Sequence, residues 1–175
     1  MVSVLDPRPC GECSLCCKVF PLGELGKMAG QWCMYVKQGL GCSVHATKPQ
    51  PCRTFQCTWT MAEGLDEGWR PDVAGFVLAT QDNDKLYVQV DPDRPDAWRR
   101  EPYYSHLKSI SSRAKKPYLM VMVRTAGQLT MVFPEADIDL GIEPDGLRID
   151  SGYELVDGRR TPFARYAAPK AFFAP

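Results

Sequence analysis

Cysteine is the residue type in this chain whose numbers and spacing point most directly to chemistry. All eight cysteines lie between Cys10 and Cys57, and none follows in a chain of 175 residues. They form three clusters. The first is Cys10-Gly11-Glu12-Cys13-Ser14-Leu15-Cys16-Cys17. The second has Cys33 after Trp32 and Cys42 after Gly41, with His45 close behind. The third is Pro51-Cys52-Arg53-Thr54-Phe55-Gln56-Cys57. A C-x2-C unit suits a metal because two intervening residues let the backbone turn and aim both sulfurs at one point. Thiolate is a soft ligand, so such a site favours zinc, iron–sulfur clusters or Cu(I) over magnesium or calcium. Eight thiols are enough for two four-cysteine sites, or for one large site with residues to spare.

Spacing limits how the thiols are shared. Cys16 and Cys17 are adjacent, so their side chains diverge and fit two different centres better than one. Cys52 and Cys57 are five residues apart. If Pro51 opens a helix, where its missing N–H costs nothing, the two sit roughly 140° apart around it. Either that helix breaks between them or they serve different centres. Cys10, Cys13 and Cys16 also reproduce the first three positions of the C-x2-C-x2-C-x3-C-P run of bacterial ferredoxins, but Cys17 follows at once and the fourth position is missing. His45, three residues after Cys42, is either a ligand or an exposed or capping residue. His106 falls in a helical stretch and reads as surface or core.

The elements that must position these residues differ between the two parts of the chain. Residues 1–60 are rich in Cys, Gly and Pro and poor in periodicity, as expected of loops held by ligands. Residues 61–175 read as α+β. Val73–Thr80 and Leu86–Val90 are strand-like and flank a hairpin turn at Gln81-Asp82-Asn83-Asp84. Pro95–Lys116 has helical spacing at Trp98, Tyr103, Leu107 and Ile110, with Pro102 near a start. Tyr118–Arg124 and Gln128–Phe133 form a second hairpin around Thr125-Ala126-Gly127. Short strands are expected near Leu147–Ile149 and Tyr153–Val156, with an irregular tail from Thr161. The expected fold is therefore α+β: a metal-stapled, loop-rich cysteine cluster packed on a small antiparallel sheet with one or two helices, forming one compact domain overall.

Composition narrows the function classes. Twenty-one basic residues balance twenty-one acidic ones, so no global field attracts nucleic acid or an anionic membrane. The basic pairs and runs at Arg99-Arg100, Arg113–Lys116 and Arg159-Arg160 read as solvated faces. The most apolar run, Tyr118–Val123, is far short of the ~20 residues of a membrane helix. The start MVSVLDPRPC lacks the pattern of a secretory signal. The expectation is a cytoplasmic chain whose thiols stay reduced, and eight thiols there indicate metal rather than disulfides.

The run Cys10-x2-Cys13-x2-Cys16-Cys17 resembles the signature of the YkgJ-type CxxCxxCC cysteine-cluster family of zinc- or iron-chelating proteins. The stretch Gly41-Cys42 through His45, Lys48-Pro49, Cys52-Arg53, Phe55 and Cys57 resembles that family's second block, and Cys33 stands where the family carries a further cysteine. The likeness runs from Cys10 to about Trp59. It implies metal chelation by Cys10, Cys13, Cys16, Cys17, Cys33, Cys42, Cys52 and Cys57, with Zn2+ as the metal and iron or an iron–sulfur cluster as the alternative. The family usually carries an aromatic residue at the place of His45 and an arginine at that of Lys48, which leaves His45 outside the implied ligand set.

Two functions follow as expectations. The first is a metal-chelating protein with a structural or metal-handling role, in which closed four-ligand sites add folding free energy to loop-rich segments. Its partner is a metal ion, with no nucleic acid or membrane, and any protein partner is unspecified. The second is a metal-cluster-dependent enzyme, using iron–sulfur redox chemistry or modifying a protein, for example by methyl transfer. A related cysteine cluster occurs in bacterial flagellin lysine methylases. Against it, the chain has no Gly-rich phosphate loop, and Ser105-His106 has no supporting third group.

Overall fold

A computed structural model of the chain describes residues 8–81, 84–112 and 120–168. Its main sheet has five strands in the order β3-β4-β5-β6-β7: β3 Phe76–Gln81, β4 Lys85–Val90, β5 Met120–Thr125, β6 Gln128–Val132 and β7 Asp137–Ile142. The strands form because Val, Leu, Met and Phe alternate across two faces that are both buried. Phe76, Leu78, Leu86, Val88, Val90, Val121 and Val123 face a cluster containing Trp59, Trp69, Trp98, Tyr103 and Leu107. Val77 faces the other way, onto Leu15 and Val19. On that second face Met122, Leu129 and Met131 meet Ile149, Ala164 and Tyr166. A sheet covered on both sides needs near-continuous apolar strands, and MVMV in β5 is one.

The α+β class holds, with one correction to the expected antiparallel sheet. β4 and β5 are parallel, in the register Leu86↔Val121 and Val88↔Val123, while the other neighbours are antiparallel. The reason is the helix α5, Tyr103–Ser112, which lies between them. A parallel pair cannot be closed by a tight turn and needs a crossover of this kind. The expected helix over 95–116 begins only at Tyr103. Trp98 belongs to a separate 3-10 turn, Ala97–Arg99, and residues 113–116 lie outside the described residues, as do Asp82 and Asn83 of the first expected turn and Tyr118. Val73 falls in a short helix, α4 Pro71–Ala74, rather than in a strand.

The expected pair of short strands with an irregular tail also needs correcting. One long strand, β8 Arg148–Val156, pairs antiparallel with β9 Arg159–Ala167 along its whole length. Asp157 and Gly158 both take positive φ at the turn (49° and 74°), as a two-residue hairpin turn of right-handed twist requires. β7 was not expected from the sequence. Helices are also more numerous than the one or two expected. Besides α4 and α5, they are α1 Cys16–Val19, α2 Gln50–Thr54 and α3 Thr58–Met61. The strands β1 Val36–Lys37 and β2 Gly41–Cys42 form a two-residue ladder inside the cysteine-rich region. No helix among the described residues is long and apolar enough to cross a membrane.

Candidate metal centre

All eight cysteines are free thiols, seven of them half-buried and Cys10 exposed. The first knuckle turns as its spacing requires. The Cys13 N–H donates to the Cys10 carbonyl at 3.1 Å, and Gly11 takes the left-handed conformation (φ 57°) that lets so short a loop close. Cys16 opens α1, whose Leu15 and Val19 pack on Val77 of the sheet. Cys13, Cys16 and Cys57 flank this small apolar cluster together with Phe20 and Phe55, whose rings lie 4.9 Å apart. Phe55, in the middle of the third cysteine cluster, thus joins that cluster to the first.

The helix carrying Cys52 does break before Cys57. α2 ends at Thr54, Phe55 is extended, and Cys57 stands at the N-cap of α3. Cys57 is then held by its carbonyl, which accepts from the Thr60 hydroxyl at 2.8 Å and the Thr60 N–H at 3.0 Å. Cys33 is tied to the first cluster by its N–H, which donates to the Cys17 carbonyl at 3.0 Å. The Cys33 carbonyl accepts from Val36, and Val36 pairs with Cys42 in the β1–β2 ladder. At Gly41 an added Cβ would stand 3.5 Å from the Gly11 carbonyl oxygen, so the second cluster lies directly against the first knuckle.

Charge neighbourhoods sort the thiols further. Cys16 lies within electrostatic reach of Cys10, Cys13 and Cys17, and Cys57 lies within reach of Cys10 and Cys13. Cys52 lies within reach of Cys17, Cys33 and Cys42. Burial pushes the Cys13, Cys52 and Cys57 thiols up, and neighbouring thiols add to it. Cys16 and Cys17 share a side-chain hydrogen bond, so the adjacent thiols meet rather than diverge as their spacing suggested. It brings the Cys17 thiol down to about 7, with Lys27 and Lys48 acting in the same direction and burial opposing, and it pushes Cys16 up. Among the described residues, no group of three or more His, Cys, Asp or Glu is arranged to clasp a metal ion as the thiols stand. The donor set is soft and collected in one region, so its chemistry fits a thiolate-loving metal. A closed cage around such an ion requires the sulfurs to draw together as they lose their protons.

Three basic residues support the region, and the sequence gives no signal for any of them. Arg8 reaches across to the end of α3, donating to the carbonyls of Leu65 (2.7 Å), Ala62 (2.6 Å) and Trp59, and stacking 4.4 Å from the Trp59 ring. Lys18 is buried and donates to Asp91 at 2.6 Å and Asp93 at 2.5 Å, fastening α1 to the end of β4. Lys27 is buried too, with its ammonium donating to the carbonyls of Lys18 (3.1 Å), Met28 (3.2 Å) and Phe20. Burial pulls the Lys27 pKa down, while Cys33, Cys17, Cys16 and Cys52 act the other way. A buried lysine surrounded by carbonyls and thiols cannot be told from an exposed one by sequence pattern.

His45 is exposed in a 3-10 turn, His45–Thr47, and His106 sits in α5 with its ring 4.8 Å from that of Trp69. The chain matches no known family model, no characterised protein and no solved structure.

Proposed function

We propose that the chain is a zinc- or iron-chelating protein that binds metal through its cysteine clusters and uses it in a structural or metal-handling role. The observation that carries this reading is the confinement of eight free thiols to residues 10–57, none spent in a disulfide, with Cys13, Cys16 and Cys57 packed around Val77 of the sheet. The resemblance to the CxxCxxCC cysteine-cluster family points the same way. Segments with two-residue strands and four-residue helices bury little apolar surface of their own, so ligand bonds are the natural source of their stability. Zn2+ is the preferred metal because it takes four thiolates without redox chemistry. Iron or an iron–sulfur cluster is the alternative that the same donor set admits.

The test is elemental analysis and a visible spectrum of protein purified without air or chelator. A colourless protein carrying zinc supports the reading. A brown protein carrying iron and sulfide moves it to iron–sulfur chemistry. Protein that retains and takes up neither metal overturns it.

A further inference from the structure

Large apolar side chains left in water are normally scattered singly over a protein surface. In this chain four of them fall within residues 28–40: Met28 is 66% exposed, Trp32 39%, Met34 77% and Leu40 77%. The backbone explains why. The Gly30 N–H donates to the Lys18 carbonyl at 2.9 Å and the Cys33 N–H to the Cys17 carbonyl at 3.0 Å, which fastens the segment along α1. It folds as a succession of tight turns, with Gln31 N–H donating to the Met28 carbonyl, Val36 N–H to Cys33 and Leu40 N–H to Lys37. Turns this short leave no room for a core of their own, so their large side chains stay outside.

The same stretch carries charge of one sign. All twenty-one acidic residues of the chain lie outside residues 25–62, whereas Lys27, Lys37, Lys48 and Arg53 lie inside, with His45. Lys37 and Arg53 are exposed and Lys48 is half-buried. The acidic groups that adjoin the stretch are Glu24 in the turn before it, Glu12 next to Gly11, and Asp93, whose carboxylate is taken by Lys18. The balanced overall charge conceals this local excess. We propose that the loop face of residues 28–40 docks on an anionic membrane surface. Met28, Met34 and Leu40 enter the interfacial layer, Trp32 lies at its edge, and Lys37, Lys48 and Arg53 face the lipid phosphates. These side chains are not the thiols, so the surface stands or falls independently of the metal.

Apolar groups standing proud on separate turns need a partner that deforms around them. A bilayer interface does so, and each nearby Lys or Arg adds about fivefold in affinity for anionic lipid. The membrane–water boundary also suits the amphipathic ring of Trp32. Single-stranded nucleic acid is held by flat exposed rings instead, which Met28, Met34 and Leu40 do not supply.

The test is partition of the full chain onto phosphatidylcholine vesicles containing about a quarter phosphatidylserine, read by co-sedimentation and tryptophan emission. Trp59, Trp69 and Trp98 are buried, so a blue shift on adding vesicles, and quenching by brominated acyl chains, report on Trp32. Binding to pure phosphatidylcholine should be weaker by about tenfold or more, and salt at about 0.5 M should release the protein from anionic vesicles. Lys37→Gln should weaken binding about fivefold, and Met34→Ser combined with Leu40→Ser about tenfold or more. All three positions are exposed, so circular dichroism of the variants should match wild type. No binding to anionic vesicles, equal binding to both vesicle types, or unchanged binding by either variant would overturn the proposal. Capture of an acidic Leu/Glu amphipathic peptide by this face without any vesicle binding would also overturn it, in favour of a protein partner.

Discussion

At the scale of single residues, the buried lysines stand out more than the thiols. Lys18 puts an ammonium among apolar groups and is tolerated there because Asp91 and Asp93 accept from it. Removing one partner of a buried pair leaves an uncompensated charge, so Asp91→Ala is expected to cost about 3 kcal/mol in urea unfolding at pH 7. Burial alone would raise the Asp91 carboxyl, but Lys18, the Asp93 N–H and Arg94 together hold it below the ordinary 3.8. A depressed carboxyl contributes its stability in full above pH 3.8 and loses it as the pH falls through the lower folded value. The gap between wild type and Asp91→Ala should therefore narrow below about pH 4. On the proposed metal-binding reading, Lys27→Met, which keeps the length and removes the charge, should speed metal loss about tenfold in chelator-competition kinetics.

Elements show where backbone geometry decides. Gly75 ends α4 in the left-handed region (φ 89°) and turns the chain into β3, and an added Cβ would stand 2.7 Å from the Ala97 Cβ. Gly75→Ala is expected to destabilise by about 2 kcal/mol or more in thermal melts, because strain and overlap act together. Gly64 has open space and no positive φ, so Gly64→Ala should stay within about 0.5 kcal/mol of wild type. The hairpins around β3–β4 and β5–β6 were legible from alternating apolar runs and turn residues. Of the β8–β9 hairpin only two short strands near 147–149 and 153–156 were legible, because Pro162 makes the segment from Thr161 read as irregular. Pro162 is tolerated because β9 has no partner strand other than β8 in its sheet, and proline is at home on such edges.

On the scale of the whole molecule, the two parts of the chain bury apolar surface very unequally. The sheet has two buried faces and is held by apolar packing, whereas the cysteine-rich region has short elements and the small cluster around Val77. On the proposed metal-binding reading, stripping metal with a chelator should deprotect amides of residues 8–60 in hydrogen exchange by about tenfold or more while β4, β5 and β6 keep their protection. Equal loss in both parts would show that the sheet depends on metal as well. The sequence by itself determined the soft donor set, its confinement to residues 10–57, the α+β class and the central strands, because residue type and local period carry that information. Only the tertiary structure decided that β4 and β5 run parallel, that Lys18 and Lys27 are buried, and that Cys57 packs with Cys13 and Cys16 around Val77. Those depend on which distant segments meet, and pattern along a chain is silent about long-range contact until the core that enforces it has formed.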